Sequence, residues 1–257
     1  MRGDLSLSAA TALGFLLVLA RVAGTFVFVP LPGGRNGSEL AKVVLSATVA
    51  FAMFPQWPVV DASRVDLGVL LGWLLAEVTF GITVGLAVGF IAEAFQMGAQ
   101  VLSLQAGFSY ASIVDPNTEA ESGVMLLLAQ LLSGLLFFAL GLDRQVLTAF
   151  SRSLQVYPPG SFTITLPIVE QVIQLGAVIF SVGIRLVLPV IALLIMVDLA
   201  LGLLGRLNAQ LQLITLLFPA KILTSLAMLA WIVLLFPKVF SSTAEQSMRF
   251  VRALVGL

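Results

Sequence analysis

Six runs of nearly unbroken apolar sequence set the terms for this chain: Leu5–Val29, Leu40–Phe54, Leu67–Ala92, Val124–Leu142, Val172–Leu204 and Leu211–Phe236. A hydrocarbon core takes about 20 residues of helix to cross. At that depth the backbone must satisfy its own hydrogen bonds, so such runs fold as helices. Of 257 residues, 60% are hydrophobic and 10% charged, whereas soluble domains carry about a quarter charged residues. There are too few polar side chains to coat a core of this size in water. The expected fold class is all-α: a helical membrane protein with about six long apolar helices, some of them kinked, and helical hairpins.

The runs are unequal. The second is short. The fifth would reach about 50 Å at roughly 1.5 Å per residue, so part of it should project beyond lipid. Pro189 near its middle should kink it. Arg2 precedes an apolar run too long for a signal-peptide core and interrupted by Arg21, so the first run reads as a retained membrane segment.

The connections carry their own signals. PLPGGRNGSE (Pro30–Glu39) is a Pro/Gly turn, and Trp57 in the next link suits a membrane interface. YPPGS (Tyr157–Ser161) forbids regular helix, and GRLNAQ (Gly205–Gln210) reads as a tight hairpin turn. From Ser241 the tail is amphipathic. Ser242 and Glu245 fit a capping box, and Phe240, Ala244, Met248, Val251 and Val255 share one face. That face suits either a membrane interface or a partner. If all six runs cross, one side collects Arg2, Arg64, Arg144, Arg152, Lys238, Arg249 and Arg252, and the other Arg35, Lys42 and Arg206. Basic residues favour the cytoplasm, which would place both termini there.

Several chemistries are disfavoured. Formal net charge is zero, with 13 basic and 13 acidic residues, so there is no basic field for nucleic acid. Cysteine and histidine are absent, which removes thiolate nucleophiles, the commonest metal ligand and the usual neutral-pH acid–base group. Neither HExxH, GxSxG nor GxxxxGK[ST] occurs. No cofactor, metal or catalytic activity is expected.

Two features invite specific roles. Gly81, Gly85 and Gly89 form a small-residue stripe at four-residue spacing, preceded by Gly68 and Gly72. In lipid such stripes let helices approach closely, within the chain or against another subunit. Charges also lie inside apolar runs: Arg21, Glu77, Glu93, Arg185, Asp198 and Lys221, with Arg206 in the hairpin turn. Each should face protein, water or a headgroup. Glu93 and Lys221 lie near run ends, where side chains snorkel. Arg185 and Asp198 are about 20 Å apart along a helix, too far to pair, but Asp198 can reach Lys221 across the hairpin. Such residues serve a proton relay or pair structurally inside an oligomer.

The centre of the chain, QVLSLQAGFSYASIVDPNTEAESG (Gln100–Gly123), is half-polar and lacks basic residues. Asp115-Pro116 turns it. Irregular backbone at membrane depth survives only when buried in protein or beside water, which places the insert near an axis or cavity if it is not a surface loop.

Motifs in order along nearly the whole chain resemble the FliR family, the R subunit of the flagellar type III export gate, and its injectisome counterparts. They are LARVAGTFVFVPLPG (Leu19–Gly33), GLAVGFIAEAFQMGAQVLSLQAGFSYASIVDP (Gly85–Pro116), SRSLQVYPPG (Ser151–Gly160) and VLPVIALLIMVDLALGLLGRLNAQLQLITLLFPAKIL (Val187–Leu223). The sequence departs from the family pattern at Ala209, usually proline, and in GLDRQ (Gly141–Gln145), which lacks the histidine often found there.

The resemblance implies a non-catalytic subunit of an inner-membrane protein-export channel within the flagellar basal body. One copy would assemble with several P and several Q subunits into a helical ring. Downstream export-apparatus subunits, unfolded protein substrates and lipid would be its other partners. Energy would come from an ATPase and the proton-motive force acting on other subunits. The resemblance divides the chain into a P-like region (1–171) containing a plug loop (about 100–123), a Q-like hairpin (172–240) and the tail (241–257). Gly107, Phe108, Ser109, Tyr110, Ala111, Ile113, Asp115 and Pro116 would then lie toward the closed pore. The contrasting reading is a six-helix small-solute transporter working through Arg185 or Asp198; an intramembrane enzyme is the third.

Overall fold

A computed structural model describes residues 9–30, 38–58, 60, 66–108, 124–207 and 213–257. Seven α-helices follow one another, with no strand among the described residues: α1 Ala9–Phe26, α2 Ser38–Ala52, α3 Leu67–Ala106, α4 Val124–Ala139, α5 Leu142–Val156, α6 Leu166–Leu207 and α7 Leu213–Leu254. Each of the six apolar runs is a helix, and the seventh, α5, is amphipathic. The all-α expectation therefore holds.

Their lengths differ from the apolar runs. Helix α3 continues 14 residues past Ala92, to Ala106, because hydropathy marks the end of the apolar stretch and not the end of the helix. Polar side chains along this extension find partners: Gln130 donates to Gln96 at 3.1 Å. The helix stops at a true breaker. Gly107 has φ +86°, its N–H reaches the Leu104 carbonyl (3.3 Å) and the Phe108 N–H reaches Ser103 (3.0 Å). This is a Schellman stop. Residues 100–106, expected in the loop, are thus the last turns of α3.

The tail is likewise not a separate helix. Helix α7 runs through Pro219 and Pro237 to Leu254. The Ser242 and Thr243 hydroxyls donate back to the Val239 carbonyl at 2.9 Å, so no capping box starts there. The predicted face is real: Phe240, Ala244, Met248, Val251 and Val255 are all buried, while Glu245, Arg249 and Arg252 are exposed. It is covered by this chain itself, which corrects the expectation of a membrane interface or a partner.

Among the described residues, three helices, α3, α6 and Pro219–Leu254 of α7, are long and apolar enough to cross a membrane, and a fourth span results if α4 and α5 are counted as one broken crossing. The alternate-loop count of basic residues presumes six complete crossings and does not transfer to this arrangement.

The chain divides into two compact units. The first comprises Met1–Gly89, Phe137–Leu175 and Ala244–Leu257; the second comprises Phe90–Leu136 and Gly176–Thr243. In the first, α1 and α3 run parallel, since Arg21 meets Glu77 and Thr25 meets Gly81, contacts of identical sequence separation. Trp57, expected at an interface, instead donates to the Ala50 carbonyl (2.8 Å) and packs against Phe15 and Phe54. In the second unit Leu102, Ala106, Val187, Val190, Leu194 and Ile232 form the core. Gly98 and Gly183 let α3 and α6 touch there; a Cβ on Gly183 would lie 2.6 Å from the Ala94 carbonyl oxygen.

Candidate functional site

The strongest chemical feature of the first unit is a charge pair sealed from solvent. Arg21 and Glu77 are each 1% exposed. Burying one such charge alone is prohibitive, so each must be paired and hydrogen-bonded. The guanidinium Nε and Nη2 fork onto the two Glu77 carboxylate oxygens, with Nη2 to Oε1 at 3.0 Å. This bidentate match is one that lysine cannot make. Nη1 donates to Ser153 Oγ (2.9 Å) and Nη2 also to the Tyr157 carbonyl (2.9 Å). The Cζ carbon lies 4.8 Å from the Phe80 ring centroid, a cation–π distance.

The SRSLQVYPPG stretch closes over this pair. Ser153 comes from the last turn of α5, and Tyr157 follows it in extended conformation. Gly160 donates its N–H to Glu77 Oε1 at 3.3 Å. Its φ is +75°, and a Cβ there would fall 1.9 Å from the Trp73 ring, so only glycine fits on both counts. Phe80, Tyr157 and Phe162 contact one another edge-on or tilted, and the Tyr157 hydroxyl donates to the Leu254 carbonyl (3.1 Å) at the end of α7. The two prolines hold the loop out of helical conformation, which frees the carbonyl and N–H that serve the ion pair.

The glycine stripe lies alongside. Added Cβ atoms would lie 2.2 Å from the Arg21 carbonyl oxygen at Gly81, 2.8 Å from that of Thr25 at Gly85 and 2.8 Å from that of Phe28 at Gly89. Thr25 Oγ1 donates to the Gly81 carbonyl at 2.8 Å. The stripe therefore packs within this chain, against α1. Among the described residues, a Cβ on Gly72 would meet nothing within 4 Å and one on Gly68 only the Asp66 carboxylate, so the earlier pair makes no close helix contact there.

The other singled-out charges separate. Lys221 and Asp198 form an ion pair at 2.8 Å with side chains 14% and 34% exposed; Asp198 lies nine residues before the end of α6 and Lys221 eight after the start of α7, and residues 208–210 of the expected hairpin turn lie outside the described residues. Arg185 and Arg206 are both exposed within this chain. Arg206 sits in the last turn of α6, where a cation complements the helix dipole. Arg185 lies mid-helix. Of the expected plug residues, Gly107 and Phe108 are described, and Phe108 packs against the core of the second unit. Ser109, Tyr110, Ala111, Ile113, Asp115 and Pro116 lie outside the described residues. Glu77 is legible in the sequence as an intramembrane charge, but not as the partner of Arg21. The available signal was that each sits four residues before a member of the Thr25–Gly81 contact.

Residues 12–247 match the family model of bacterial export proteins, family 1. The chain belongs to this family. Among relatives, it is 28% identical to the flagellar biosynthetic protein FliR of Bacillus subtilis (strain 168) over 254 residues, 95% of this chain and 96% of the relative. It is 27% identical to FliR of Escherichia coli (strain K12) over 82% of this chain and 81% of that one. It is 26% identical to the secretion system apparatus protein SsaT of Salmonella typhimurium over 86% of each. The matched span of this bacterial export family takes in the Arg21–Glu77 pair, the glycine seam and the YPPG loop together.

Proposed function

We infer that this chain is a non-catalytic, inner-membrane subunit of a type III protein export apparatus. The observation that carries the reading is the end-to-end family match, 12–247, with relatives named for both flagellar biosynthesis and a secretion system. Helix geometry agrees with a life among partners: the most apolar windows of α6 and α7 are only 17% buried within the chain. The ion pair then serves to lock α1, α3 and the YPPG loop into a rigid unit against which other subunits assemble. The first 171 residues would act as the P-like part, 172–240 as the Q-like hairpin. P and Q subunits and unfolded substrates are the proposed partners.

In this reading the segment after α3 is the plug. Phe108, held on the core, anchors its root. Ser109, Tyr110, Ala111, Ile113, Asp115 and Pro116 fill the closed pathway with small and aromatic groups. Loose packing keeps the closed state within a few kcal/mol of the open one, as a switch requires. Deleting residues 109–115 should raise ion leakage through the assembled gate, read as conductance in planar bilayers; leakage unchanged from the parent removes the plug role.

Native mass spectrometry of the tagged chain, co-expressed with its neighbouring membrane genes and extracted in mild detergent, tests the reading as a whole. The expected species holds one copy of this chain with several copies of two helical partners. A partnerless monomer or homodimer refutes it.

A further inference from the structure

A lone charge, Arg185, interrupts the exposed apolar surface of α6. It lies in the middle of α6, roughly 30 Å from either end at about 1.5 Å per residue, and its side chain is exposed. Among the described residues no ion pair, hydrogen bond or ring contact engages it. The nearest charges on its own helix are Glu170 and Asp198, both more than three turns away. Pro189, one turn on, has no N–H to give the Arg185 carbonyl. One turn of α6 thus presents a guanidinium and a backbone carbonyl without its usual helical donor.

The surroundings are apolar. On the face of Arg185 lie Leu188 (54% exposed), Met196 (68%), Leu199 (62%) and Leu203 (62%). The exposed apolar surface of α6 runs from Ile173 to Leu204, about 47 Å by helical rise, whereas a hydrocarbon core covers only about 30 Å. Lipid therefore leaves a stretch of some three turns bare, and protein must cover it. A guanidinium set within such a surface needs a carboxylate, a carbonyl, water or a headgroup, and in the middle of a helix that protein must partly cover a carboxylate of the covering protein is the strongest of these.

We propose that the Arg185 face of α6 is an inter-subunit contact that receives an apolar helix of a different subunit carrying an Asp or Glu, which forks onto the Arg185 guanidinium. The proposal rests on the export-gate reading and adds to it the residue and the chemistry of the partner.

The test uses the co-expressed complex. The chain has no cysteine, so Ile184→Cys gives a single label site beside Arg185. The expected results are at least about tenfold slower maleimide labelling of Ile184→Cys in the complex than in the isolated chain, and at least about tenfold lower recovery of one partner with Arg185→Glu. Arg185→Lys should retain part of that recovery. A basic residue in place of the partner carboxylate cross-linked to position 184 should rescue Arg185→Glu. If the parent chain recovers partners but Arg185→Glu recovers them equally and labelling is unprotected, the contact is refuted while the export-gate reading stands. A phospholipid retained by the parent complex and lost in Arg185→Gln, with partner recovery unchanged, overturns it in favour of an anionic headgroup. Failure of the parent chain to recover any partner refutes the export-gate reading itself.

Discussion

Arg21→Met should lower the unfolding free energy by about 3–5 kcal/mol, the cost of stranding a buried charge. Among the described residues, Glu77 would keep only the Gly160 N–H, at 3.3 Å, as a hydrogen-bond donor, with no cation near it. The Tyr157 carbonyl and Ser153 would each lose a donor as well. Against a total stability of roughly 5–15 kcal/mol, that loss empties much of the folded population. Arg21→Lys should recover only part of it, since an ammonium cannot serve both carboxylate oxygens, Ser153 and the Tyr157 carbonyl from one position. The sharper expectation concerns the pair: Arg21→Met with Glu77→Leu should be less harmful than Arg21→Met alone, because no charge then needs desolvation. Denaturant titration in a fixed detergent, followed by tryptophan fluorescence at the nearby Trp73, measures all four proteins. A single Arg21→Met variant within about 0.5 kcal/mol of the parent would mean that the pair carries no stability, since surface substitutions fall in that range.

The same site shows what a sequence can and cannot disclose. Apolar runs announced the helices, because backbone hydrogen bonding in lipid leaves no other choice. The alternation of Phe240, Ala244, Met248, Val251 and Val255 announced a buried face. Neither said what would cover that face, and the answer was the chain's own first unit for Ala244 onward. Helix ends were legible only at real breakers. Gly107 and the YPPG loop stop helices, whereas the polar residues of Glu93–Gln96 and the apparent capping box at Ser242 do not, since their side chains are satisfied without the helix ending. The Asp198–Lys221 pair was legible because a short hairpin fixes which residues face each other. Arg21 and Glu77 are 56 positions apart, with no turn between them that sets a register. Their pairing depends on two parallel helices separated by α2, which no local rule supplies. The YPPG loop read as punctuation, and its role as the lid of a charge pair required knowing that α5 returns Ser153 and Tyr157 to α1.

The seam beside that pair gives the second large effect, and it carries its own control. A methyl group on Gly81 would sit 2.2 Å from the Arg21 carbonyl oxygen, and the obstacle is backbone, which cannot rotate away. Gly81→Ala should therefore push α1 off α3 and destabilise by about 3 kcal/mol or more, at the upper end of overpacking costs. Gly85→Ala and Gly89→Ala, each facing a carbonyl oxygen at 2.8 Å, should cost less. Gly72→Ala lies on the same helix, where the added Cβ would meet nothing within 4 Å among the described residues; there the main effect is the loss of unfolded-state freedom, and stability should rise by about 0.5–1 kcal/mol. Thermal unfolding of the four variants in one detergent distinguishes these signs, and a shift of Gly81→Ala and Gly72→Ala in the same direction would dismiss the seam. Because displacing α1 also pulls Arg21 from Glu77, Gly81→Ala and Arg21→Met act on one structure. Their combination should cost less than the two separate losses together, a coupling expected only for groups that share a contact. If the losses simply add, the seam and the ion pair hold the first unit independently, and the glycines are there for packing alone.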